Sequence, residues 1–306
     1  MTTALFTHPA CLGHDPGPYH PERPDRLRAV LAALEDEAFA PLLREAAPEA
    51  TPEQLALAHP RDYVDAILAI RPTAGETVAL DADTAMSAGS AAAALRAAGG
   101  AVAAVDAVLG GWARNAFAAI RPPGHHAEPA RPMGFCLFNN AAIAALWARQ
   151  RWGMRRVAVV DFDVHHGNGT QAILGPDADL FYGSSHQMPC YPGTGAVRET
   201  GVAGNVVNAP LPPGADGAAF RAAWQGQILP ALTAFAPEFL VISAGFDAHR
   251  ADPLAELRLD TADFAWVTEA LLEVVGGRVV SVLEGGYDLE ALAAAAAAHV
   301  RGLMGA

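Results

Sequence analysis

The chain has 306 residues, 52% of them hydrophobic, and carries a formal net charge of -13 from 33 acidic against 20 basic residues. That balance argues against nucleic acid or an anionic membrane as partner and modestly favours cationic ligands through long-range steering. The length and apolar content suffice for a large core, so a single domain over 1–306 is expected.

Taken in chain order, the predicted elements alternate. Helical patterns over Arg23 to Phe39, Asp62 to Ile70 and Ala88 to Leu109 lead to a strand at Ala116 to Ile120 and a helix at Asn140 to Trp152. Strands follow at Val157 to Val160, Leu180 to Gly183 and Asn205 to Val207, then a helix at Asp216 to Phe235. The strand Phe239 to Ile242, the helix Asp263 to Val275, the strand Val279 to Leu283 and the helix Leu289 to Leu303 complete the series. Pro and Gly concentrate at 122–124, 189–195 and 210–214, which marks loops. This is the pattern of an α/β fold, a mostly parallel sheet covered on both faces by helices. Cys11, Cys136 and Cys190 are an odd number at wide spacing, which points to a reducing compartment. Met1 to Asp15 lacks a basic segment followed by an apolar stretch, and runs such as Ala291 to Ala298 are too short to span a bilayer, so the expectation is a soluble, cytoplasmic protein.

In an open parallel sheet ligands bind beyond the carboxyl ends of the strands. The strand at 116–120 runs into Arg121-Pro-Pro-Gly-His-His126, and that at 157–160 into Asp161-Phe-Asp-Val-His-His-Gly-Asn-Gly169. The strand at 239–242 delivers Ser243-Ala-Gly-Phe-Asp247, and the last gives Glu284-Gly-Gly-Tyr287. Taken singly, each has an ordinary structural use: a packed His pair, a turn, a helix cap at Asp247, a tyrosine beneath the next helix. Together they form one rim, with glycines beside each candidate as a close backbone approach requires. Asp163, His165 and Asp247 offer two carboxylates and one imidazole from two strand ends, a set that can hold a divalent metal with a position open for water. That combination predicts a metallohydrolase.

The segments Arg121-Pro-Pro-Gly-His-His-Ala-Glu128, Gly134-Phe-Cys-Leu-Phe-Asn-Asn140, Asp161 to Gln171, Ser243 to Pro253 and Leu283-Glu-Gly-Gly-Tyr287 resemble those of the class II histone deacetylase family. Its bacterial members include histone deacetylase-like amidohydrolases and acetylpolyamine amidohydrolases. The resemblance runs from His20-Pro-Glu-Arg-Pro24 to the C-terminal helix and implies the arginase/deacetylase fold, three α/β/α layers around an eight-stranded, mostly parallel sheet. It also implies a zinc-dependent amidohydrolase acting on an acyl-lysine or a small acylated amine, with the zinc on Asp163, His165 and Asp247. Such an oxygen-rich site also suits Fe(II) or Co(II).

By the same resemblance His126 is the general base and acid, and His125 its electrostatic partner, oriented by Asp161. Asn168 takes the place where class I members carry aspartate. An amide stabilises an imidazolium less than a carboxylate does, so His126 is expected to remain neutral. Tyr287 is the implied donor to the developing oxyanion. Gly134, Phe135, Tyr191, Leu254 and Gly286 are the implied substrate-binding residues. Phe135 and Tyr191 form the tunnel wall, and Leu254 stands where polyamine specialists present an acidic gatekeeper. Asp252 is expected near enough to meet a second cation. The Asp83-Thr84 segment is a further candidate at the rim, and the arginines of His20 to Arg26 at the floor. Asp161, Asp163, His165 and Ser184 form an implied structural potassium site, with His186 beside it. His166 is expected to face away on a continuing strand, and His8, His14, His59, His249 and His299 to lack suitable company. An arginase-type dimanganese site would need aspartates at 167 and 249, where Gly167 and His249 stand. A silent sensor of acylated amines is the alternative from another class, disfavoured by the intact Tyr287 and histidine pair. The oligomeric state is not legible.

Overall fold

The computed structural model describes residues 2–305; Met1 and Ala306, the ends of the expected 1–306 unit, lie outside the described residues. Among the described residues there are ten strands: β1 (Thr3–Thr7), β2 (Leu43–Ala46), β3 (Thr77–Ala79), β4 (Ala85–Ser87), β5 (Asn115–Ala118), β6 (Val157–Asp161), β7 (Leu180–Gln187), β8 (Val206–Leu211), β9 (Phe239–Ala244) and β10 (Val279–Leu283). Eight of them form one sheet in the order β2-β1-β5-β10-β9-β6-β7-β8, every neighbouring pair parallel. The remaining two, β3 and β4, make a small antiparallel hairpin. β5, β6, β9 and β10 are buried along their whole length, as expected of continuous apolar strands covered on both faces.

The helices are α1 (Pro24–Ala33), α2 (Pro52–Leu55), α3 (Arg61–Ala69), α4 (Ser90–Leu109), α5 (Asn140–Trp152), α6 (Asn168–Leu174), α7 (Gly217–Ala223), α8 (Leu229–Phe235), α9 (Thr261–Val275) and α10 (Leu289–Gly305). α5 follows the sequence expectation to the residue: Asn139 caps its start by accepting from Ala142 N, and Gly153 ends it in the left-handed region. The expected helix over Asp216 to Phe235 is interrupted by a π turn at Trp224–Ile228, just before Pro230, whose ring nitrogen cannot donate to the preceding turn. The expected helix from Arg23 to Phe39 stops at Ala33, and only a short 3-10 turn, Glu37–Phe39, continues it. α4 is long and apolar enough to cross a membrane, contrary to the expectation that no run qualifies. Two-thirds of that stretch (67%) is buried, however, and the helix packs on the sheet and on α5.

This order decides where the chemistry falls. β5, β10, β9 and β6 are consecutive neighbours at the centre of the sheet, and their registers align Val282 with Ala118, Leu283 with Ala244 and Ser243 with Asp161. The four segments that leave these strands therefore emerge side by side on one edge. That edge is the one where parallel sheets hold ligands.

Candidate active site

Asp163, His165 and Asp247 each present a potential ligand atom within 4.8 Å of the others, and all three side chains are buried. His165 Nδ1 lies 3.1 Å from Asp163 Oδ1 and 3.1 Å from Asp247 Oδ2. Ligand bonds of about 2.0–2.2 Å at tetrahedral angles place neighbouring donor atoms roughly 3.3 Å apart, so this spacing suits one small divalent ion. The backbone fixes both carboxylates: Asp163 Oδ2 accepts from Gly285 N at 2.8 Å and Asp247 Oδ1 from Val164 N at 2.8 Å. Gly245 and Gly285 press directly against these oxygens, and a Cβ at either position would collide with them. Two buried carboxylates, one imidazole nitrogen and side-chain-free walls fit a divalent metal.

The tandem histidines stand beside this cluster with rings 4.0 Å apart. His125 Nδ1 meets Asp161 Oδ2 at 2.9 Å, and Asp161 Oδ2 also accepts from the Tyr182 hydroxyl at 3.1 Å. Burial alone would lower the His125 imidazole, but the charges of Asp163 and Asp161 raise it to about 10. His126 Nδ1 meets Asn168 Oδ1 at 2.9 Å. Burial, followed by repulsion from His125 and His165, holds its imidazole well below the ordinary range. The two neighbours are thus driven in opposite directions, one towards a fixed cation and one towards a neutral base.

A cavity of about 200 Å³ opens onto these groups, lined by Asp83, His126, Gly134, Phe135, His165, Tyr191, Leu254 and Tyr287. Gly134 and Phe135 both have positive φ, 56° and 70°, a conformation rare for an aromatic residue. The turn is held by Asp83 Oδ1, which accepts from Gly134 N, and by Thr84 Oγ1, which accepts from Phe135 N. It sets the Phe135 ring edge-on to Tyr287, with centroids 5.9 Å apart, while Tyr191 stands edge-on to His126 at 5.0 Å. The Arg26 guanidinium lies 4.8 Å from the Tyr287 ring centroid without lining the cavity itself, and Arg26 donates to the carbonyls of Gly286 and Glu284. A larger cavity of about 600 Å³, lined by Arg114, Glu269, Glu273 and Arg301 between α9 and α10, contains none of the predicted site residues.

Several expectations need correction. Asp252 is not free at the rim: it is buried and accepts from Tyr287 N at 2.7 Å and from Leu254 N at 3.0 Å, so its carboxylate ties the two walls together instead of facing a ligand. Gly286 is buried with its carbonyl turned to Arg26 and is absent from the residues lining the cavity. His166 is not on a strand, since β6 ends at Asp161; its ring bridges Thr194 and Gln171 in the loop before α6. His14 does have company, because it meets Ser90 Oγ at 2.7 Å and Glu22 Oε2 at 3.3 Å. Ser184 is the register partner of Asp161, and its hydroxyl meets His186 Nδ1 at 2.9 Å.

Two groups were not assigned from sequence. Glu284 Oε2 accepts from the backbone N–H groups of Gly124 and His125, which fixes the turn carrying the histidines. Glu22 sits fully buried between Arg26 and Arg121. Burial would raise its carboxyl, but Arg121 and His14 override this and hold it well below the usual range. The signal for both was available in the motifs: a charged residue at the end of an all-apolar strand, and a Glu between prolines opposite a buried Arg.

Comparison with known proteins agrees with this architecture. Residues 20–303 match the histone deacetylase domain. The chain belongs to the histone deacetylase family. It is 38% identical to the histone deacetylase-like amidohydrolase of Pseudomonas aeruginosa, over 94% of this chain and 82% of that one. It is also 38% identical to the chloroplastic histone deacetylase 14 of Arabidopsis thaliana, over 98% and 76% respectively. The solved structure of the HDA15 HD domain superposes with a TM-score of 0.94 at 39% identity, covering 99% of this chain and 88% of that one. The protein therefore has the arginase/deacetylase fold and is a deacetylase-family hydrolase.

Proposed function

We propose that this histone deacetylase relative is a zinc-dependent deacylase that removes acetyl or other short acyl groups from acyl-lysine side chains or related small acylated amines. The observation that carries the reading is the Asp163–His165–Asp247 cluster beside a narrow aromatic cavity that His126 and Tyr287 also line. Held by those three residues, a divalent ion would polarise the acyl carbonyl and bring the pKa of water towards about 7. Fe(II) or Co(II) would serve the same oxygen-rich site.

The residues divide the remaining work. With Nδ1 engaged by Asn168 Oδ1, His126 has Nε2 as its free base, takes a proton from the attacking water and returns it to the departing amine. His125, kept cationic by Asp161, supplies fixed positive charge beside the reaction. The Tyr287 hydroxyl donates to the carbonyl oxygen as negative charge develops on it. Phe135 and Tyr191 flank a methylene chain, whose burial contributes about 0.8 kcal/mol per CH₂. Asp161 and Ser184, joined by sheet register, together with Asp163 and His165, form the proposed potassium site.

Leu254 on the cavity wall, where a polyamine specialist would present a carboxylate, favours acyl-lysine over acetylpolyamine. The deciding experiment is a turnover panel on acetyl-lysine peptides, longer acyl-lysines and acetylated putrescine or spermidine, with zinc-loaded protein and Tyr287→Phe as control. Tyr287→Phe should lower kcat about 10²- to 10³-fold while zinc affinity is retained. Hydrolysis of polyamines alone would overturn the reading of Leu254, and zinc-loaded protein that turns over none of the panel would favour the sensor.

A further inference from the structure

We propose that Glu128 is a positioning residue for the reaction: by holding the amide of Asn168 in one orientation, it selects which ring nitrogen of His126 is free to accept a proton. The inference rests on the reading of His126 as the proton acceptor. Asn168 is buried, and its two ends face different neighbours. Its Nδ2 donates to Glu128 Oε1 at 2.9 Å and approaches Met133 Sδ at 3.3 Å, while its Oδ1 faces His126 Nδ1 at 2.9 Å.

An amide has one accepting and one donating end of nearly the same shape, and its orientation follows from what each end meets. Here both neighbours of Nδ2 are acceptors without a proton. Inverting the amide would place Oδ1 against a carboxylate oxygen and turn an N–H₂ towards His126. Glu128 therefore obliges Oδ1 to face the imidazole, so Nδ1 carries the hydrogen and Nε2 keeps its lone pair. Without Glu128 only the thioether, a weak acceptor, opposes inversion. The inverted amide would donate to Nδ1, move the ring proton to Nε2 and cap the base.

The backbone keeps Glu128 in place. Its N–H donates to Arg131 O at 3.0 Å and its carbonyl accepts from Arg131 N at 3.4 Å, closing a tight turn directly after the histidine pair. Glu128 is half-buried and, with Asn168, lines a solvent-open cavity of about 410 Å³. Its charge is thus hydrated, and His126 meets a neutral amide. A carboxylate in direct contact would favour the imidazolium; one placed an amide further away fixes the tautomer while leaving the ring neutral.

The test uses full-length zinc-loaded protein with two readouts, steady-state kinetics and the ¹⁵N chemical shifts of the His126 ring nitrogens. Glu128→Ala should lower kcat about tenfold with little change in KM, a part of what a positioned proton-transfer group contributes. Its His126 spectrum should move from the Nδ1–H tautomer towards a mixture. Glu128→Gln, whose Oε1 still accepts from Asn168, should restore most of kcat. Glu128→Lys should be at least as impaired as Glu128→Ala, and adding Asn168→Asp to it should return the ring hydrogen to Nδ1 in the ¹⁵N spectrum, because a carboxylate accepts from both sides. In Asn168→Ala the Glu128→Ala change should cost nothing further. Wild-type kcat and unchanged ring shifts in Glu128→Ala and Glu128→Lys would overturn the proposal, as would losses from Glu128→Ala and Asn168→Ala that multiply in full. His126→Ala separates the two claims: if it retains turnover, the reading of His126 fails, and if it is inactive while the Glu128 variants match wild type, only the present inference fails.

Discussion

Gly285, two residues beyond the end of β10, is the point at which one added methyl should unseat the proposed metal. Its N–H donates to Asp163 Oδ2 at 2.8 Å, and a Cβ built on it would stand 2.5 Å from that oxygen and closer still to Asp247 Oδ2. Ordinary contact begins at 3.4 Å, so the Asp163 oxygen must retreat by about 0.9 Å (3.4 − 2.5). Neither carboxylate can swing away freely, because Asp163 Oδ1 accepts from His165 N at 2.9 Å and Asp247 Oδ1 from Val164 N at 2.8 Å. Metal–ligand distances tolerate only about 0.2 Å, less than a quarter of that displacement. Gly285→Ala should therefore weaken zinc binding by about tenfold to a hundredfold, the range seen when groups supporting metal ligands are lost. Competition titration against a chromogenic chelator measures this, with far-UV circular dichroism to verify folding. A folded variant that takes zinc at parental affinity would refute the assignment of Asp163 and Asp247 to a single ion.

Two stability predictions concern buried groups away from the ligands. Glu22→Gln removes the carboxylate that pairs directly with the fully buried guanidinium groups of both Arg26 and Arg121, which leaves positive charge undercompensated; urea unfolding should show a loss of about 3–5 kcal/mol, and a change below about 1 kcal/mol would contradict the account. His299 is completely buried between Thr268 and Ser281, and burial pushes its imidazole down to about 3. Its folded pKa lies below the unfolded value of about 6.5, so this contribution is intact above pH 6.5 and is lost as pH falls from there towards 3, reaching roughly 2 kcal/mol at pH 5. His299→Gln should flatten the fall in urea midpoint between pH 7 and pH 5, and an unaltered slope would show that the ring is not a source of it.

The parts of the fold that could be read from sequence are those in which burial on both faces writes an unbroken apolar run. β6, β9 and β10 were placed within two residues of their ends for this reason. β1 and β2 went unread despite lying in the same sheet. β2, Leu43–Ala46, is an exposed edge strand with the sequence Leu-Arg-Glu-Ala, so it carries no such run. β1, Thr3–Thr7, is short, and a proline and histidine follow it closely. The metal cluster was legible because Asp163, His165 and Asp247 adjoin readable strands. Asp252 was misread because its role depends on backbone N–H groups of Tyr287 and Leu254, which no side-chain pattern reveals. Glu128 lay inside a quoted motif, yet its contact with Asn168 spans 40 positions and arises only once α6 has folded back beside the histidine turn.

The grouping of carboxylates at the strand ends carries a stability cost that a bound cation would relieve. Asp161, Asp163, Asp247 and Glu284 are all buried at the ends of β6, β9 and β10. Burial, and then the charge of Asp163, raises the Asp247 carboxyl above the ordinary range, and burial raises Glu284 to about 7. Asp161 has His125 as partner, a ring that also stands 3.9 Å from Asp163, whereas Asp163 and Asp247 both contact His165. A divalent ion there would stabilise the native state by binding linkage, about 2.7 kcal/mol at a free concentration one hundred times its Kd. Asp247→Asn keeps the shape and leaves Asp163 and His165 as a matched pair, so no buried charge is stranded. The variant should melt no lower than the parent when both are metal-free, and it should lose most of the zinc-induced rise in Tm. A metal-free Asp247→Asn protein several kcal/mol less stable than the metal-free parent would mean that the second carboxylate stabilises the fold by itself, and the argument that these side chains are arranged around a cation would fail.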